Sequence, residues 1–375
     1  MSTRGDLKKL VRTGRVVVKI GSGVLTDGEG RLDPKTIRRL ANEIAPIVGL
    51  RRWPYVVSSG AIAVGMGILG LKQRPRTMAG LQAAAAIGQS KLVEAWSSAF
   101  RKHDVPVAQV LLTHADLANR KRFLNARRAL GELERRRAIA IVNENDTVSF
   151  EEIAVGDNDE LAAHVSNLVD ARLLVMLSVA PGVVNPSGLR IPEAHAGDDL
   201  LDTLATGRSS RFGTGGMISK IRAARVACAR GAYVAILEGK APGQLEALLD
   251  GEDVGTLIVP DQDKTKLKSR AHWIAHALRP VGTIVVDAGA EKALGEKRSL
   301  LSTGITSVVG DFAEGDPIEV ARDHGPKPRT FARGLSRYSA DQLRQIMGLP
   351  SGEISQVLGF TTGDAVVHKD DLVLL

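Results

Sequence analysis

Between Asn143 and Ala171 the chain reads NENDTVSFEEIAVGDNDELAAHVSNLVDA. Glu144, Asp146, Asp157, Asp159 and three asparagines fall within seventeen residues, and the segment then runs on with an apolar stripe at helical spacing. Three chemistries could use this set. A helix cap needs one Asp or Asn, which leaves most of Asp157, Asn158 and Asp159 unexplained. A metal site built from these groups would be all oxygen and would suit Mg²⁺ better than Zn²⁺, since no His/Cys ligand spacing accompanies it. Recognition of a zwitterion is the third: Asn143, Asn145, Asn158 and Ser59 offer amides and a hydroxyl to a carboxylate, while Asp146 and Glu144 offer charge to an ammonium.

Three glycine-rich places could hold phosphate. Lys19-Ile20-Gly21-Ser22-Gly23 puts an ammonium and a small-residue turn at the end of an apolar run. Ser59-Gly60-Ala61 precedes an Ala-rich helical stretch. Gly213-Thr214-Gly215-Gly216-Met217-Ile218-Ser219-Lys220 lets backbone approach a polyphosphate and sets Lys220 one turn into the next helix. Backbone N–H groups at such turns and helix starts attract anions. None has P-loop spacing. The eight histidines are scattered along the chain and read as surface or packing residues.

The elements that must position these groups alternate. Apolar runs at residues 16–20, 55–58, 107–112, 138–142, 173–177 and 233–237 read as strands. Helical patterns lie between them: one capped by Asp33 with Pro34 at its first position, one over 80–101, one over 123–137, one capped by Asp157 or Asn158, and one over 217–230 closed by Gly231. This alternation predicts an α/β fold, a mostly parallel sheet sandwiched by helices, with its ligand beyond the carboxyl ends of the strands. Near Val281 the rhythm changes to short strands separated by Gly-rich turns. The expected organisation is a catalytic domain over 1–280 and a small, mostly-β domain over 281–375.

Charge divides along the same line. Residues 281–375 carry 10 Lys and Arg against 13 Asp and Glu, or −3, leaving +11 on residues 1–280 of the overall +8. A basic first domain suits an anionic ligand such as a nucleotide. The acidic second domain argues against nucleic acid, whose affinity rests on phosphate contacts. Aromatics at 3% are too few for base-stacking platforms. A single cysteine, Cys228, excludes an internal disulfide framework and fits a reducing compartment. The start of the chain has no apolar signal-peptide core, and no run is long enough to span a bilayer. The expectation is a cytoplasmic protein with no membrane partner.

VKIGSGVLT, SSGAIAVGM, LLTHADLANRKRFLNARRAL, NENDTVSFEEIAVGDNDELAA, GTGGMISKIRAA and GLSRYSADQLRQIMG occur in this order over nearly the whole chain. Together they resemble the glutamate 5-kinase family, which opens proline biosynthesis and joins an amino-acid-kinase domain to a PUA domain. The resemblance implies transfer of the γ-phosphoryl group of ATP to the side-chain carboxylate of L-glutamate. It implies that Lys19 and Lys220 flank the transferring group and that Asp159 orients them. Ser59, Gly60, Asp146 and Asn158 would hold glutamate. Lys19, Gly21, Ser22, Ser178, Val179 and Thr214, Gly215, Gly216, Met217, Ile218, Ser219 and Lys220 would contact ATP. It further implies a homo-oligomer, feedback inhibition by proline, and hand-off of the acyl phosphate to glutamyl phosphate reductase. The chemistry agrees: a carboxylate with a reference pKa near 4.3 is already ionised and needs no general base. What the reaction needs is positioning and cations, here two lysines and Mg²⁺ on the phosphates.

One departure stands out. After the strand ending at Leu177 the family carries Ser or Thr, then Asp, and soon Gly-Leu-Tyr. This chain has Ser178-Val179-Ala180-Pro181-Gly182-Val183-Val184. Val179 replaces the Asp near the nucleotide and Val184 the Tyr. Beside a working kinase with altered nucleotide contacts stand two other readings. One is a weak or inactive paralogue that senses proline or glutamate; the other is an RNA-binding role for the second domain.

Overall fold

The computed structural model describes residues 4, 7, 13–27, 31–49, 52–148, 157–201, 214–260, 274, 275, 278–322, 329–361 and 363–375. The chain forms two compact units, Met1–Lys266 and Leu267–Leu375.

The described strands of the first unit are β1 (Gly14–Ile20), β2 (Arg52–Ser58), β3 (Val107–Leu112), β4 (Ile139–Glu144), β5 (Leu173–Ser178), β6 (Glu193–His195), β7 (Tyr233–Glu238) and β8 (Thr256–Val259). They form one sheet in the order β3-β4-β2-β1-β5-β7-β8-β6. From β3 to β7 every pairing is parallel, and β8 joins β7 antiparallel. The fold is therefore the expected α/β sheet, with an antiparallel extension at one edge that period-2 and apolar-run signals did not reveal. Those two strands are only 3 and 4 residues long, too short to carry a pattern.

The central strands read as continuous apolar runs because both faces are covered. All six residues of β5 are buried, as are the last five of β1. Lys19 is the exception in β1, a charge set between Val57 of β2 and Met176 of β5.

Helices α1 (Ser22–Leu25), α2 (Pro34–Ile44), α3 (Ala61–Ile68), α4 (Met78–Arg101), α5 (His114–Ala118), α6 (Arg120–Arg135), α7 (Asp157–Leu168), α8 (Thr214–Cys228) and α9 (Gln244–Leu249) complete the described unit. Local chemistry fixes several starts. Asp33 accepts from Lys35 N at 2.9 Å ahead of Pro34, and Thr77 caps α4 through Gly80 N. Asn119 caps α6 through two backbone N–H groups, each at 3.1 Å. Thr113 and Asp116 form a reciprocal capping box on α5. Helix α7 already includes Asp157 and Asn158, so neither is its cap; the preceding residues 149–156 lie outside the described ones. Helix α8 begins at Thr214, earlier than the sequence pattern suggested, and ends at Cys228. Gly215 and Gly216 thus sit in a helical first turn rather than a loop, and Gly213 lies outside the described residues.

Helices α7 and α8 pack on each other and over the central strands, while α3 packs along α4. The α3–α4 crossing brings backbones together: a Cβ on Gly88 would meet the Ala61 carbonyl oxygen at 1.8 Å, and one on Gly65 the Ala84 carbonyl oxygen at 1.8 Å.

In the second unit β9 (Gly282–Val286), β11 (Ile305–Gly310), β12 (Pro317–Arg322), β13 (Arg329–Leu335) and β15 (Leu372–Leu374) form a sheet in the order β11-β9-β12-β13-β15. Strands β10 (Leu300–Leu301) and β14 (Ala365–Val367) pair separately. Helices α10 (Ala288–Gly295), α11 (Ala340–Ile346) and α12 (Ile354–Leu358) lie among them. Ile284, Ile318, Val320, Leu343, Ile346 and Val366 belong to one buried cluster. The Tyr338 hydroxyl is tied to Gly363 O at 3.0 Å. Arg333 donates to Ala275 O at 2.7 Å, which ties a residue ahead of the strand-rhythm boundary at 280/281 into this unit.

Gly88→Ala is expected to lower the unfolding free energy by about 3 kcal/mol, because helix backbones must separate. Gly131→Ala, at a helical position with open space around it, is expected to raise it by about 0.5–1 kcal/mol. Urea unfolding of the two variants reads both.

Candidate active site

Because β1, β2, β4, β5 and β7 run parallel, the segments that follow them share one edge of the sheet. In strand order these are Asn145-Asp146, Ser59-Gly60, Gly21-Ser22-Gly23, Ser178-Val179 and Gly239. The strand order turns back between β1 and β5, the place where open α/β sheets leave a crevice. Short backbone bonds close this edge: Gly21 N to Leu177 O at 3.1 Å, Ser59 N to Ile20 O at 3.1 Å and Gly239 N to Ser178 O at 2.7 Å. Gly60 has φ +104°, a conformation that favours glycine, and a Cβ there would reach Ser22 Cα at 3.9 Å.

Asp159, near the start of α7, is the centre of the site. Its Oδ1 lies 2.6 Å from Lys19 Nζ and its Oδ2 3.2 Å from Lys220 Nζ. The Ser219 hydroxyl donates to Oδ2 at 2.7 Å. Lys220 also donates to Gly216 O at 2.9 Å, so the first turn of α8 aims the ammonium at α7. All three charged groups are buried: Lys19 is 5% exposed, Asp159 1% and Lys220 9%. Burial pushes the Asp159 carboxyl up, but the two ammonium groups and the hydrogen bonds from Lys19 and Ser219 outweigh it and hold it below its ordinary value. For Lys19 burial wins. Desolvation, with the nearby Lys220 charge, lowers its pKa despite Asp159. The cluster carries two cations against one anion, a net positive charge in a low-dielectric place, which suits an anionic ligand.

The other expected site residues divide. Lys19, Lys220 and Asp159 meet in one network, and Ser219 joins them as a partner of Asp159, a role its sequence place among nucleotide contacts did not suggest. Ser22 is exposed at the edge, and Ser59, Gly60, Met217 and Ile218 are half-buried there. Ser178 is buried and its hydroxyl accepts from Ala180 N at 3.4 Å. Val179 is 61% exposed and stands beside Gly23, whose added Cβ would meet Val179 Cγ1 at 3.1 Å. Asn158 has a buried Oδ1 with no hydrogen-bond partner among the described residues, the kind of acceptor a ligand satisfies.

Two of the asparagines already have partners within the protein. Asn143 still belongs to β4, is 1% exposed, and donates to Gln89 Oε1 at 2.8 Å. Asn145 spends its amide oxygen on the Thr147 hydroxyl at 2.6 Å. Glu144 also lies within β4. Asp146 is half-buried just past the strand end.

The amino acid kinase family profile matches residues 14–238, and the PUA domain profile matches residues 282–358. A glutamate 5-kinase of Myxococcus xanthus is 45% identical over 372 residues, covering 96% of each chain. That of Anaeromyxobacter dehalogenans is 46% identical over 378 residues, covering 98% of this chain and 97% of its own. The chain belongs to the glutamate 5-kinases of the amino acid kinase family. Its fold is also that of an N-acetylglutamate synthase from Neisseria gonorrhoeae, with a TM-score of 0.51 at 18% identity, over 69% of this chain and 62% of that one. As a member of a kinase family it uses ATP. Among the described residues no helix is long and apolar enough to cross a membrane.

Asp159→Asn leaves two buried ammonium groups without their counter-charge. It is expected to lower the unfolding free energy by about 3–5 kcal/mol. Adding Lys19→Met should recover part of that loss; strictly additive losses in urea unfolding would show that the two groups are not coupled.

Proposed function

We propose that this protein phosphorylates the side-chain carboxylate of L-glutamate with ATP, forming L-glutamyl 5-phosphate, the first step of proline biosynthesis. The observation that carries the reading is the buried Asp159 carboxylate shared by Lys19 and Lys220 at the carboxyl edge of β1. The relatives named glutamate 5-kinase over nearly the full chain point the same way.

In this reading the reaction is one of positioning. The acceptor carboxylate is ionised at neutral pH and attacks without a base. Two negatively charged groups must be brought in line, and developing charge must meet cations already in place. Lys19 and Lys220 supply them from opposite sides, and Asp159 keeps both ammonium groups aimed. The first-turn N–H groups of α8, over Thr214 to Met217, lack helical partners and face an anion well. With Lys19, Gly21, Ser22, Ser178, Val179 and Ile218 to Lys220 they make the nucleotide end. Ser59, Gly60, Asp146 and Asn158 make the glutamate end, toward β4; the unsatisfied Asn158 Oδ1 supports this. Mg²⁺ would sit on the phosphates, and Asp159, whose oxygens face two lysines and a serine, would be a poor ligand for it. It supplies charge neutralisation of the nucleotide there.

The assignment of transfer to residues 1–280 and of a PUA-like role to 281–375 is part of the same proposal. So are a cytoplasmic location, which rests on the single cysteine and the absence of a long apolar run in the sequence, and a homo-oligomer, proline as a feedback inhibitor and reductase hand-off, which rest on the resemblance.

The test is glutamate-dependent ATP turnover with Mg²⁺ and hydroxylamine, which traps the acyl phosphate as a hydroxamate. Hydroxamate from the wild type supports the reading. Its absence there, with product from Val179→Asp alone, would mean a kinase scaffold that has lost its nucleotide site. Lys19→Ala and Lys220→Ala each leave Asp159 one cation, so the fold is expected to persist. Each should lower kcat/KM by about 10³-fold, roughly 4 kcal/mol; near-normal turnover in either would end the two-lysine scheme.

A further inference from the structure

The histidines are not all scattered. His114 opens α5, just past β3, and Glu160 and His164 lie one turn apart on α7. One ligating atom from each of the three lies within 4.8 Å of the other two, the one such cluster of three or more His, Cys, Asp and Glu among the described residues. His114 Nε2 stands 3.3 Å from Glu160 Oε1, and His164 Nε2 stands 3.6 Å from the same oxygen. The two imidazole rings are 5.6 Å apart, centre to centre.

The two nitrogen–oxygen separations and the ring spacing are compatible with a coordination shell. With metal–nitrogen and metal–oxygen distances near 2.1 Å, tetrahedral ligand atoms stand roughly 3.3–3.5 Å apart and two bound imidazole centres roughly 5 Å apart. A purely hydrogen-bonded cluster fits less well. His164 is 2% exposed, and its Nε2 faces Glu160 Oε1 at 3.6 Å, a distance that leaves only a weak hydrogen bond. A buried ring nitrogen with only a long contact is poorly satisfied, and a metal between the two groups would satisfy it. Glu160, with its side chain 43% exposed, gives the cluster an opening to solvent and room for a water as fourth ligand.

We propose that His114, Glu160 and His164 bind one divalent cation of the zinc class, clasping α5 to the first two turns of α7. The donor set, two imidazoles and one carboxylate, selects zinc-class ions over Mg²⁺, which takes oxygen ligands. The clasp has a consequence for the neighbouring residue. Glu160 follows Asp159, so the ion fixes the turn that carries the carboxylate between Lys19 and Lys220. The site is separate from the Mg²⁺ that accompanies ATP and does not depend on the proposed reaction.

The experiment is Zn²⁺ titration of the chelator-dialysed full chain against a chromophoric competitor, with Co²⁺ spectra and thermal unfolding alongside. One equivalent of Zn²⁺ is expected to bind and to raise the Tm. Co²⁺ should give visible bands of low coordination number without a thiolate charge-transfer band. Glu160→Gln and His114→Ala should each weaken Zn²⁺ at least tenfold and remove the Tm shift, while His103→Ala should change neither. His164 is buried, so the two more accessible ligands carry the test. Equal Zn²⁺ binding by wild type and Glu160→Gln, no binding by wild type, or a thiolate band assigning the ion to Cys228 would each overturn the proposal.

Discussion

A single carboxylate holding two ammonium groups out of water is the constraint around which the first unit is arranged. Lys19 comes from the carboxyl end of a buried strand, Asp159 from the start of α7, and Lys220 from the first turns of α8. Burying any one of them alone would be prohibitive. Together, with Ser219 taking a further lone pair of Asp159, they share the cost and leave one net positive charge at the point where the strand order turns back. The close packing of α7 on α8 and of both on the sheet follows, since the carboxylate can reach both lysines only if α7 lies over β1 and beside the start of α8.

The same arrangement separates positioning from chemistry. Asp159 directs both oxygens at lysines and a serine, which makes it a positioning group in the proposed reaction. The lysines are aimed by contacts already made within the protein, so in the proposed transfer charge stabilisation would cost little reorganisation. The antiparallel strands β6 and β8 extend the sheet beyond β7 without adding to the edge, because their carboxyl ends point the other way.

The helix that carries Asp159 is held from several directions: by lysines at the centre of the sheet, by packing on the central strands, and by the imidazole and carboxylate cluster that reaches across to α5 beyond β3. A residue whose position decides the direction of two cations is thus fixed at the turn that bears it. Asn143, which looked like a ligand group in the sequence, belongs to this support instead, as it locks the end of β4 to Gln89 of α4.

Much of this was legible in the residues alone. Apolar runs buried on both faces gave the parallel strands, Asp33-Pro34 gave a helix start, and small residues after β1 and β2 marked the edge proposed to hold the ligand, because they let backbone approach a phosphate. The short edge strands and the helical setting of Gly215-Gly216 were not legible, since three or four residues carry no period and glycines read as a loop until packing makes them a helix turn. Nor could sequence separate ligand amides from structural ones; that depends on which side chain a neighbouring helix presents. The sequence by itself determined the sheet class, the basic first unit and the lysines and acids available for chemistry, because those follow from composition and local pattern. Only the tertiary structure decided which charges meet, joining residues 19, 159 and 220, and 114 with 160 and 164, because contacts between groups so far apart along the chain are set by strand order and helix packing rather than by any local preference.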